Sequence, residues 1–343
     1  MTKRILSLVC ALASVCCLQA AAPDFILGGD LSGRSGYDKQ GVTFCDKDGT
    51  PADLFRLMKD YGMEGIRLRV WVDPMGGFCA PLDVLDMAKK AQALGMPIMI
   101  DFHYSDWWAD PGKQNIPKRW KDMTYEQMKG AVYEHTASTL QLLRNAGIDV
   151  TWVQVGNETT NGFLWPMGHA KDNPEQYAGL MRAGYDAVKA VMPEAIVIAH
   201  LDNGWDEELY RWNFDILKNG GAKWDMIGMS LYPYWSMQDG KVKSEDEALE
   251  RCIRNIKEVK QRYGTDVMIV ETGVEANDPA NGRAFIEKLL KAASTETDGI
   301  CKGVWYWAPE ADGVLDGYKL GAFQNRKPTE IMDAFRDFLK KEK

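Results

Sequence analysis

Short runs of apolar residues alternate with amphipathic segments along most of this 343-residue chain. The apolar runs are nearly continuous, which is typical of parallel strands that are covered on both faces. Eight of these runs are predicted to be strands: Phe25–Asp30, Gly65–Val72, Pro97–His103, Val150–Asn157, Ile196–Leu201, Met226–Leu231, Val267–Glu271 and Gly303–Trp307.

The segments between these strands have the period of amphipathic helices. Glycines such as Gly62 and Gly264 follow several of them directly, as a left-handed helix C-cap requires. One segment shows its apolar stripe most clearly, at Leu249, Cys252, Ile253, Ile256 and Val259. The predicted helices are Pro51–Tyr61, Pro81–Leu94, Tyr125–Ala146, Pro174–Val191, Glu207–Lys218, Glu245–Tyr263, Gly282–Ala293 and Thr329–Lys340.

Strand and helix therefore repeat as eight successive units, which predicts an α/β fold of the closed (β/α)8 type, a TIM barrel. A doubly wound open sheet is the alternative. It is disfavoured because no glycine-rich phosphate loop follows the first strand and no linker divides the chain. We expect a single catalytic domain over residues 23–343.

The first 22 residues have the features of a secretory signal peptide. Lys3 and Arg4 precede an apolar run over residues 5–18, and small residues follow at 20–22. The run is too short to span a bilayer stably, and no later segment is apolar enough to do so. We therefore expect an exported protein that is secreted or held at the cell surface.

The cysteines leave two questions open. A lipid anchor at Cys16 or Cys17 is an alternative to soluble secretion, although the residues before them fit a lipoprotein signal poorly. In an exported chain, Cys45 and Cys79 are candidates for a disulfide that the sequence alone does not establish, and the simplest interpretation of the two later cysteines is buried free thiols. None of the cysteines has metal-ligand spacing. The two later cysteines are Cys252 and Cys301.

Charge and aromatic content limit the kinds of molecule that this protein is expected to bind. The chain has 41 basic and 49 acidic residues, a net charge of -8. Nucleic acids and anionic membranes favour clustered Lys and Arg, so neither is an expected partner. The 12 tryptophans exceed what a core needs and indicate a binding surface. We expect a monomer.

Polar and aromatic side chains collect where the predicted strands end, which is the catalytic face of a barrel. Glu158 and Glu271 end strands 4 and 7, so they can face each other across the mouth. Two facing carboxylates can act as acid and nucleophile at a glycosidic bond. The other strand ends carry Asp30, Arg67, Arg69, Trp71, His103, Trp108, Asn157, Tyr232, Trp235 and Trp307.

Five segments carry a family resemblance: Gly65–Trp71, Asp101–Gln114, Val153–Thr159, Ser230–Trp235 and Val304–Trp307. They resemble the family 53 endo-β-1,4-galactanases of the retaining (β/α)8 clan called clan A. The Asp101–Gln114 segment is long and specific, whereas the Asn-Glu pair alone occurs in many clan members. The resemblance covers nearly all of the chain after the predicted signal peptide.

This resemblance implies that Glu158 is the acid/base and Glu271 the nucleophile of a double displacement. The carboxyl groups of such a pair lie about 5–5.5 Å apart. The implied substrate is a polysaccharide, the β-1,4-galactan of type I arabinogalactan in pectin, cleaved internally. Neither a cofactor nor a metal is expected, because the short loop after Glu271 cannot supply the six to eight oxygens that calcium favours.

A nucleophilic carboxylate must stay ionised, so it needs a cation and hydrogen-bond donors nearby. Tyr232 from strand 6 and an arginine from strand 2 are the candidates. Arg67 and Arg69 point the same way because strand residues alternate faces. The clan pattern favours Arg69, which is nearer the open end, and leaves Arg67 as a candidate for an internal ion pair.

Pyranose rings stack their C–H faces on indoles, and polar side chains bind their hydroxyls. The resemblance implies that Trp307 floors the subsite before the cleaved bond and that Asn157 binds the 2-hydroxyl. For the outer tryptophans and for His103, packing is the alternative role. The residues expected to bind substrate are Asn157, Arg69, His103, Tyr232, Trp307, Asp30, Trp71, Trp108 and Trp235.

Three other functions stay open. Another clan A endo-glycanase, such as a β-mannanase or a cellulase, would keep both glutamates. A barrel that only binds carbohydrate has no use for the pair. A metal-dependent hydrolase needs several histidines at strand ends, where only His103 and His200 qualify.

Overall fold

The chain closes into a barrel of parallel strands. The computed structural model describes residues 24–314 and 317–342, and within them eight strands pair in chain order, the last returning to the first. The predicted (β/α)8 barrel is therefore confirmed. The strands are β1 (Ile26–Asp30), β2 (Gly65–Val70), β3 (Ile98–Phe102), β4 (Val150–Val155), β5 (Ile196–Leu201), β6 (Met226–Leu231), β7 (Asp266–Thr272) and β8 (Cys301–Trp307).

Helices cover the outside of the barrel. A short antiparallel hairpin, β9 (Phe323–Gln324) and β10 (Lys327–Pro328), precedes the last helix. The helices are α1 (Arg34–Lys39), α2 (Leu54–Asp60), α3 (Pro81–Ala93), α4 (Tyr125–Asn145), α5 (Pro174–Val191), α6 (Glu207–Asn219), α7 (Pro233–Gln238), α8 (Glu245–Tyr263), α9 (Pro279–Thr295) and α10 (Glu330–Glu342).

Each predicted helix has a counterpart, and α5 and α8 have the predicted bounds. Two of the starts that differ from the prediction are explained by a capping side chain. Helix α2 begins later than predicted because Asp53 caps it by accepting the N–H of Arg56. Helix α9 begins earlier because Asp278 accepts the N–H of Asn281. The two helices that sequence analysis missed, α1 and α7, are short and follow β1 and β6 on the catalytic face.

Apolar side chains fill the floor of the barrel. They include two indoles, of Trp152 and Trp305, whose centroids are 5.7 Å apart in an edge-to-face pair. A Cβ on Gly28 would lie 2.2 Å from the Trp305 ring, so β1 needs glycine there for the indole to fit. The floor cluster comprises Ile26, Met99, Trp152, Ile198, Met226, Met268, Val270 and Trp305. This packed floor leaves only the C-terminal end of the barrel open for a site.

The Cys45–Cys79 disulfide that the sequence left open is not formed, since the cysteines in the described part of the chain are all free. The Cys79 thiol is buried against Arg69, 3.3 Å from Nη2, whereas Cys45 lies in a separate backbone bridge with Pro51. The expectation of buried free thiols at Cys252 and Cys301 is confirmed.

The predictions about export and membrane anchoring concern residues inside and outside the described part of the chain. The predicted signal peptide and the alternative lipid anchor at Cys16 or Cys17 lie outside the described residues. Within residues 24–314 and 317–342, no helix combines the length and the apolarity that crossing a bilayer requires.

Candidate active site

A layer of buried polar side chains lies on the apolar floor. It occupies the inward-facing positions one step nearer the open end, and strand register sets it level, with Asp30 of β1 opposite Arg67 of β2. Buried polar groups are stable only when they bond to one another. The layer contains Asp30, Arg67, Asp101, Gln154, His200 and Ser230.

Arg67 is the centre of this layer. Its side chain is almost fully buried, and it forms ion pairs with three carboxylates: Nη1 with Asp30 at 2.8 Å, and Nη2 with Asp101 at 2.9 Å and Glu271 at 2.8 Å. Its Nε donates to Gln154 Oε1 at 2.8 Å. Burial disfavours the charged guanidinium, but the three carboxylates outweigh it and raise the pKa of Arg67. Arg67 therefore stays charged beside Glu271.

The expectation that Arg69 supports the nucleophile is wrong, because Arg67 does so. The two arginines point the same way, as predicted, but Arg69 lies one step above the carboxylates. Its guanidinium lies 3.8 Å from the Trp108 ring centroid and 4.7 Å from that of Trp71. Arg69 lines a smaller cavity of about 250 Å³ beside the main cleft, and a role in binding substrate stays a prediction.

Glu271 points into the barrel because the sheet is irregular at this place. Val270 already faces the interior, so simple alternation would turn Glu271 outward. The pairing of β6 with β7 shifts register between Met229 and Ser230, and this bulge redirects Glu271 inward. Its Oε1 then meets Arg67, and its Oε2 accepts a hydrogen bond of 3.0 Å from the Tyr232 hydroxyl.

Burial raises the pKa of Glu271, and Arg67 opposes that rise, which leaves the pKa at about 7. Glu158 has no cation partner among the described residues. Burial, together with the negative charge of Glu271 and of Asp202, raises the pKa of Glu158 well above its usual value. Of the two carboxyls, Glu271 therefore loses its proton first and Glu158 keeps its own to higher pH.

Glu158 sits just past β4 in a left-handed backbone conformation, with φ at +43°. This conformation is uncommon for a residue with a side chain and is typical of functional sites. Its backbone N–H donates to His200 Nδ1 at 3.2 Å, and its Oε1 accepts from the Ser230 hydroxyl at 2.7 Å. The surrounding strands thus hold both its backbone and its carboxyl group.

Asn157 and His103 are the polar side chains that flank the pair. Asn157 accepts from Arg67 Nη2 at 3.0 Å and donates to the Ala109 carbonyl at 2.8 Å. Within residues 24–314 and 317–342 its second amide hydrogen has no partner and can donate to a ligand. His103 accepts the Ala109 N–H at Nδ1, so its Nε2 donates to Asp101 at 3.0 Å. Burial lowers the pKa of His103, which is therefore neutral.

These side chains open onto one cleft of about 380 Å³ at the C-terminal end of the barrel. The cleft brings both glutamates together with most of the predicted substrate-binding residues. Its walls are His103, Trp108, Ala109, Asp110, Pro111, Asn157, Glu158, Asp202, Asn203, Tyr232, Trp235, Asp239, Glu271, Trp307 and Tyr318.

Besides Arg69, two predicted substrate contacts do not line the main cleft. Asp30 accepts hydrogen bonds from Arg67 and from the Ser32 N–H, so it braces the arginine, and it borders the same smaller cavity as Arg69. Trp71 is only 2% exposed and does not line the cleft. The neighbouring Trp107 covers it at a centroid distance of 4.7 Å and is itself 53% exposed. Trp107 also lies outside the residues that line the cleft, so it is an exposed indole beside the cleft rather than part of its wall.

Sequence analysis missed several residues of this site. Tyr318 lies in the loop after β8, 4.6 Å from Trp307 between ring centroids, and no periodic pattern marks that loop. Gln154 and Ser230 sit inside apolar strands, where an inward-facing polar residue is a usable signal, since a barrel buries such a residue only with partners. Asp239 follows the unpredicted helix α7.

Comparisons with known proteins agree with this geometry. The sequence model described as Glycosyl hydrolase family 53 matches residues 26–335. An endo-beta-1,4-galactanase of Bacillus subtilis is 31% identical over 317 residues, which cover 83% of this chain and 70% of that protein. The catalytic domain of a family 53 enzyme from Ignisphaera aggregans superposes with a TM-score of 0.81 at 31% identity, covering 91% of this chain and 96% of that one. A fungal beta-1,4-galactanase superposes with a TM-score of 0.81 at 26% identity, covering 91% and 98%.

Proposed function

The chain belongs to glycosyl hydrolase family 53, and on that premise we propose that it cleaves internal β-1,4-galactosidic bonds of galactan with retention of configuration. It is a glycosidase, an endo-β-1,4-galactanase, and its substrate is a polysaccharide. The galactan side chains of pectin, as in type I arabinogalactan, are the substrate that we propose.

The observation that carries the mechanism is the unequal environment of two glutamates in one cleft. Glu271 is held beside a buried cation, Arg67, and a phenol donor, Tyr232, both of which favour its ionised form. Glu158 has no cation partner within the described residues, and its raised pKa keeps it protonated. One ionised and one protonated carboxyl are what a retaining glycosidase needs at the start of its cycle.

In the first step, Glu271 attacks the anomeric carbon while Glu158 gives its proton to the leaving oxygen, so the glycosidic bond breaks as the glycosyl-enzyme bond forms. In the second step, Glu158 takes a proton from water, whose oxygen displaces Glu271 from the anomeric carbon. Each glutamate then returns to its starting state. The two inversions give net retention.

The cleft walls suit a neutral sugar chain. Trp307, Trp108 and Trp235 present indole surface for pyranose rings, while Asn157 has a free amide hydrogen that suits the 2-hydroxyl. His103 holds a neutral ring at the cleft wall; because both of its nitrogens have protein partners, it can contact a sugar through its C–H edge. We expect these contacts to position the sugar on either side of the scissile bond.

We also propose that the protein acts outside the cytoplasm as a monomer. The basic and apolar pattern of residues 1–22 supports export. Since a galactan chain is too large to be imported intact, a secreted or surface-held enzyme fits the substrate. The test is fractionation of the native host followed by sizing of the exported protein.

The decisive experiment is incubation of the protein with linear β-1,4-galactan, alongside Glu158→Gln and Glu271→Gln. Each substitution should lower kcat by at least about 10²-fold, whereas Glu275→Gln, an exposed residue in the loop that follows Glu271, should retain activity. Proton NMR of the first product should show the β-anomer.

Three outcomes would contradict the proposal in different ways. Release from mannan or cellulose but not from galactan would point to another clan A endo-glycanase. Full activity in either variant would refute the catalytic assignment. Loss of activity on chelation would favour a metal-dependent hydrolase, because a two-carboxylate reaction needs no metal.

A further inference from the structure

Three buried polar side chains beside the two glutamates have no role in the mechanism above. Gln154 of β4, His200 of β5 and Ser230 of β6 are each at most 1% exposed. They lie on successive strands and form a continuous path of hydrogen bonds from Arg67 to Glu158. Which atom donates in each of these hydrogen bonds can be worked out from Arg67 and from the backbone N–H of Glu158, because both can only donate.

The path begins at Arg67, which can only donate. Its Nε donates to one side-chain atom of Gln154 at 2.8 Å, so that atom is the amide oxygen. The amide nitrogen of Gln154 then faces two acceptors, Asp101 Oδ1 at 3.2 Å and His200 Nδ1 at 2.9 Å. Arg67 therefore fixes the orientation of this amide and makes it a donor to His200.

His200 Nδ1 receives a second donor, because the backbone N–H of Glu158 points to it at 3.2 Å. A ring nitrogen that accepts carries no hydrogen, and burial lowers the pKa of His200 well below its usual value, so the ring is neutral. Its hydrogen is therefore on Nε2, which lies 2.8 Å from the Ser230 hydroxyl oxygen. Ser230 accepts there, and its own hydrogen points to Glu158 Oε1 at 2.7 Å.

We propose that Gln154, His200 and Ser230 are positioning residues that form a one-way chain of donors and hold Oε1 of Glu158 as an acceptor. The transferable proton of Glu158 then resides on Oε2. Arg67 thus acts on both glutamates: it pairs directly with Glu271 and orients the donor to Glu158. This inference rests on the proposed function for the role of that proton, while the hydrogen-bond chain itself does not.

The donor from Ser230 stabilises the carboxylate form of Glu158 and so lowers its pKa relative to a site without it. Other titratable and charged groups act on Glu158 from every side and keep their identity in a Ser230 variant, in which His200 loses its acceptor. They are Glu271 of β7, Asp202 beyond β5, Asp110 of the β3 loop, neutral His200, and the neutral phenols of Tyr210, Tyr232 and Tyr318.

The test compares Ser230→Ala with Thr297→Val. Thr297 is an equally buried hydroxyl at the opposite end of the barrel, bonded to the Ala293 carbonyl. Carboxyl ¹³C NMR titration follows Glu158 without substrate. We expect its pKa to rise by about one unit in Ser230→Ala and to stay unchanged in Thr297→Val. An unchanged pKa in folded Ser230→Ala would overturn the inference. If Ser230→Ala does not fold, Ser230→Cys keeps a weak donor and should show a smaller rise, with no rise overturning it.

Kinetics separates this inference from the proposed function. In Ser230→Ala, kcat on galactan should fall about tenfold or more, and the alkaline limb of kcat/KM should move to higher pH. An aryl galactoside with an activated leaving group needs little proton donation, so its glycosylation rate should fall less. A purely structural loss would lower both rates equally and would overturn the inference. If the wild-type protein had no galactanase activity, the proposed function would be refuted, but the NMR titration would still test the hydrogen-bond chain.

Discussion

Replacing Arg67 with lysine tests the electrostatic argument most directly, because the substitution keeps the positive charge and removes the geometry. In the described part of the chain the guanidinium makes polar contacts of 2.8–3.0 Å with three carboxylates, Asp30, Asp101 and Glu271, and with two amide oxygens. These contacts start from three different nitrogens. A lysine ammonium is a single atom with three hydrogens and cannot reach all of them.

The expected loss of stability follows from the bonds that are broken. A hydrogen bond to a charged group contributes about 1.5–3 kcal/mol. Loss of two such bonds costs about 3–6 kcal/mol, which is a large part of the roughly 5–15 kcal/mol that keeps a domain folded. We expect Arg67→Lys to fold with a melting temperature lower by about 10 °C, measured by circular dichroism.

The same substitution should change the pH dependence of activity. Arg67 opposes the rise that burial causes in the pKa of Glu271. Loss of one charge-assisted bond should let that pKa rise by about one unit or more. Because Glu271 acts as the carboxylate, the acid limb of kcat/KM should move to higher pH, as measured by initial rates on galactan.

A matched control is Arg69→Lys, since Arg69 lies two positions along the same strand and stacks on indoles rather than pairing with Glu271. In Arg69→Lys, the acid limb of kcat/KM should lie at the same pH as in the wild type. The reasoning would be refuted if folded Arg67→Lys kept both the wild-type acid limb and the wild-type melting temperature. It would also be refuted if both lysine variants moved the limb equally.

Three further predictions follow from the cleft and the floor. Burial holds the pKa of Glu158 well above its usual value, so activity should fall at high pH as that proton leaves, and Glu158→Gln should abolish this limb on an activated aryl galactoside; a surviving limb would contradict the assignment. Trp107→Ala should raise KM for galactan about three- to tenfold at constant kcat through lost stacking, while Trp212→Ala, exposed on α6, should not; equal effects would argue against a sugar contact. Gly28→Ala puts a methyl group against the Trp305 ring and should lower the free energy of unfolding, measured in urea, by about 1–3 kcal/mol. An unchanged free energy of unfolding would show that the side chains of the floor can move to accept the methyl group.

The order of elements could be predicted from the sequence because it depends on local patterns. Continuous apolar runs and helical stripes, such as the one in α8, depend only on neighbours along the chain. Chain order then places all strand ends at one mouth of the barrel, which is why Glu158 and Glu271 could be predicted from the sequence. Short helices such as α7 were not predicted, because so few residues are too short a stretch to show a helical period.

Which arginine faces Glu271 was decided only by the tertiary structure. Alternation correctly put Arg67 and Arg69 on one face, but it does not give the height of each residue against the carboxylates of neighbouring strands. That height depends on strand register around the closed barrel, where Asp30 is level with Arg67. The same holds for Cys45 and Cys79, which the sequence left as possible partners and the fold keeps apart.

The sequence by itself determined the barrel, its catalytic face and the two glutamates, because each depends on periodicity and on order along the chain. The tertiary structure decided how those glutamates differ. A bulge between β6 and β7 turns Glu271 to Arg67, and residues far apart in sequence bring Ser230 to Glu158. Such contacts depend on strand register and on the direction of each side chain. Both are set only when the eight strands close into the barrel, so no local sequence pattern encodes them.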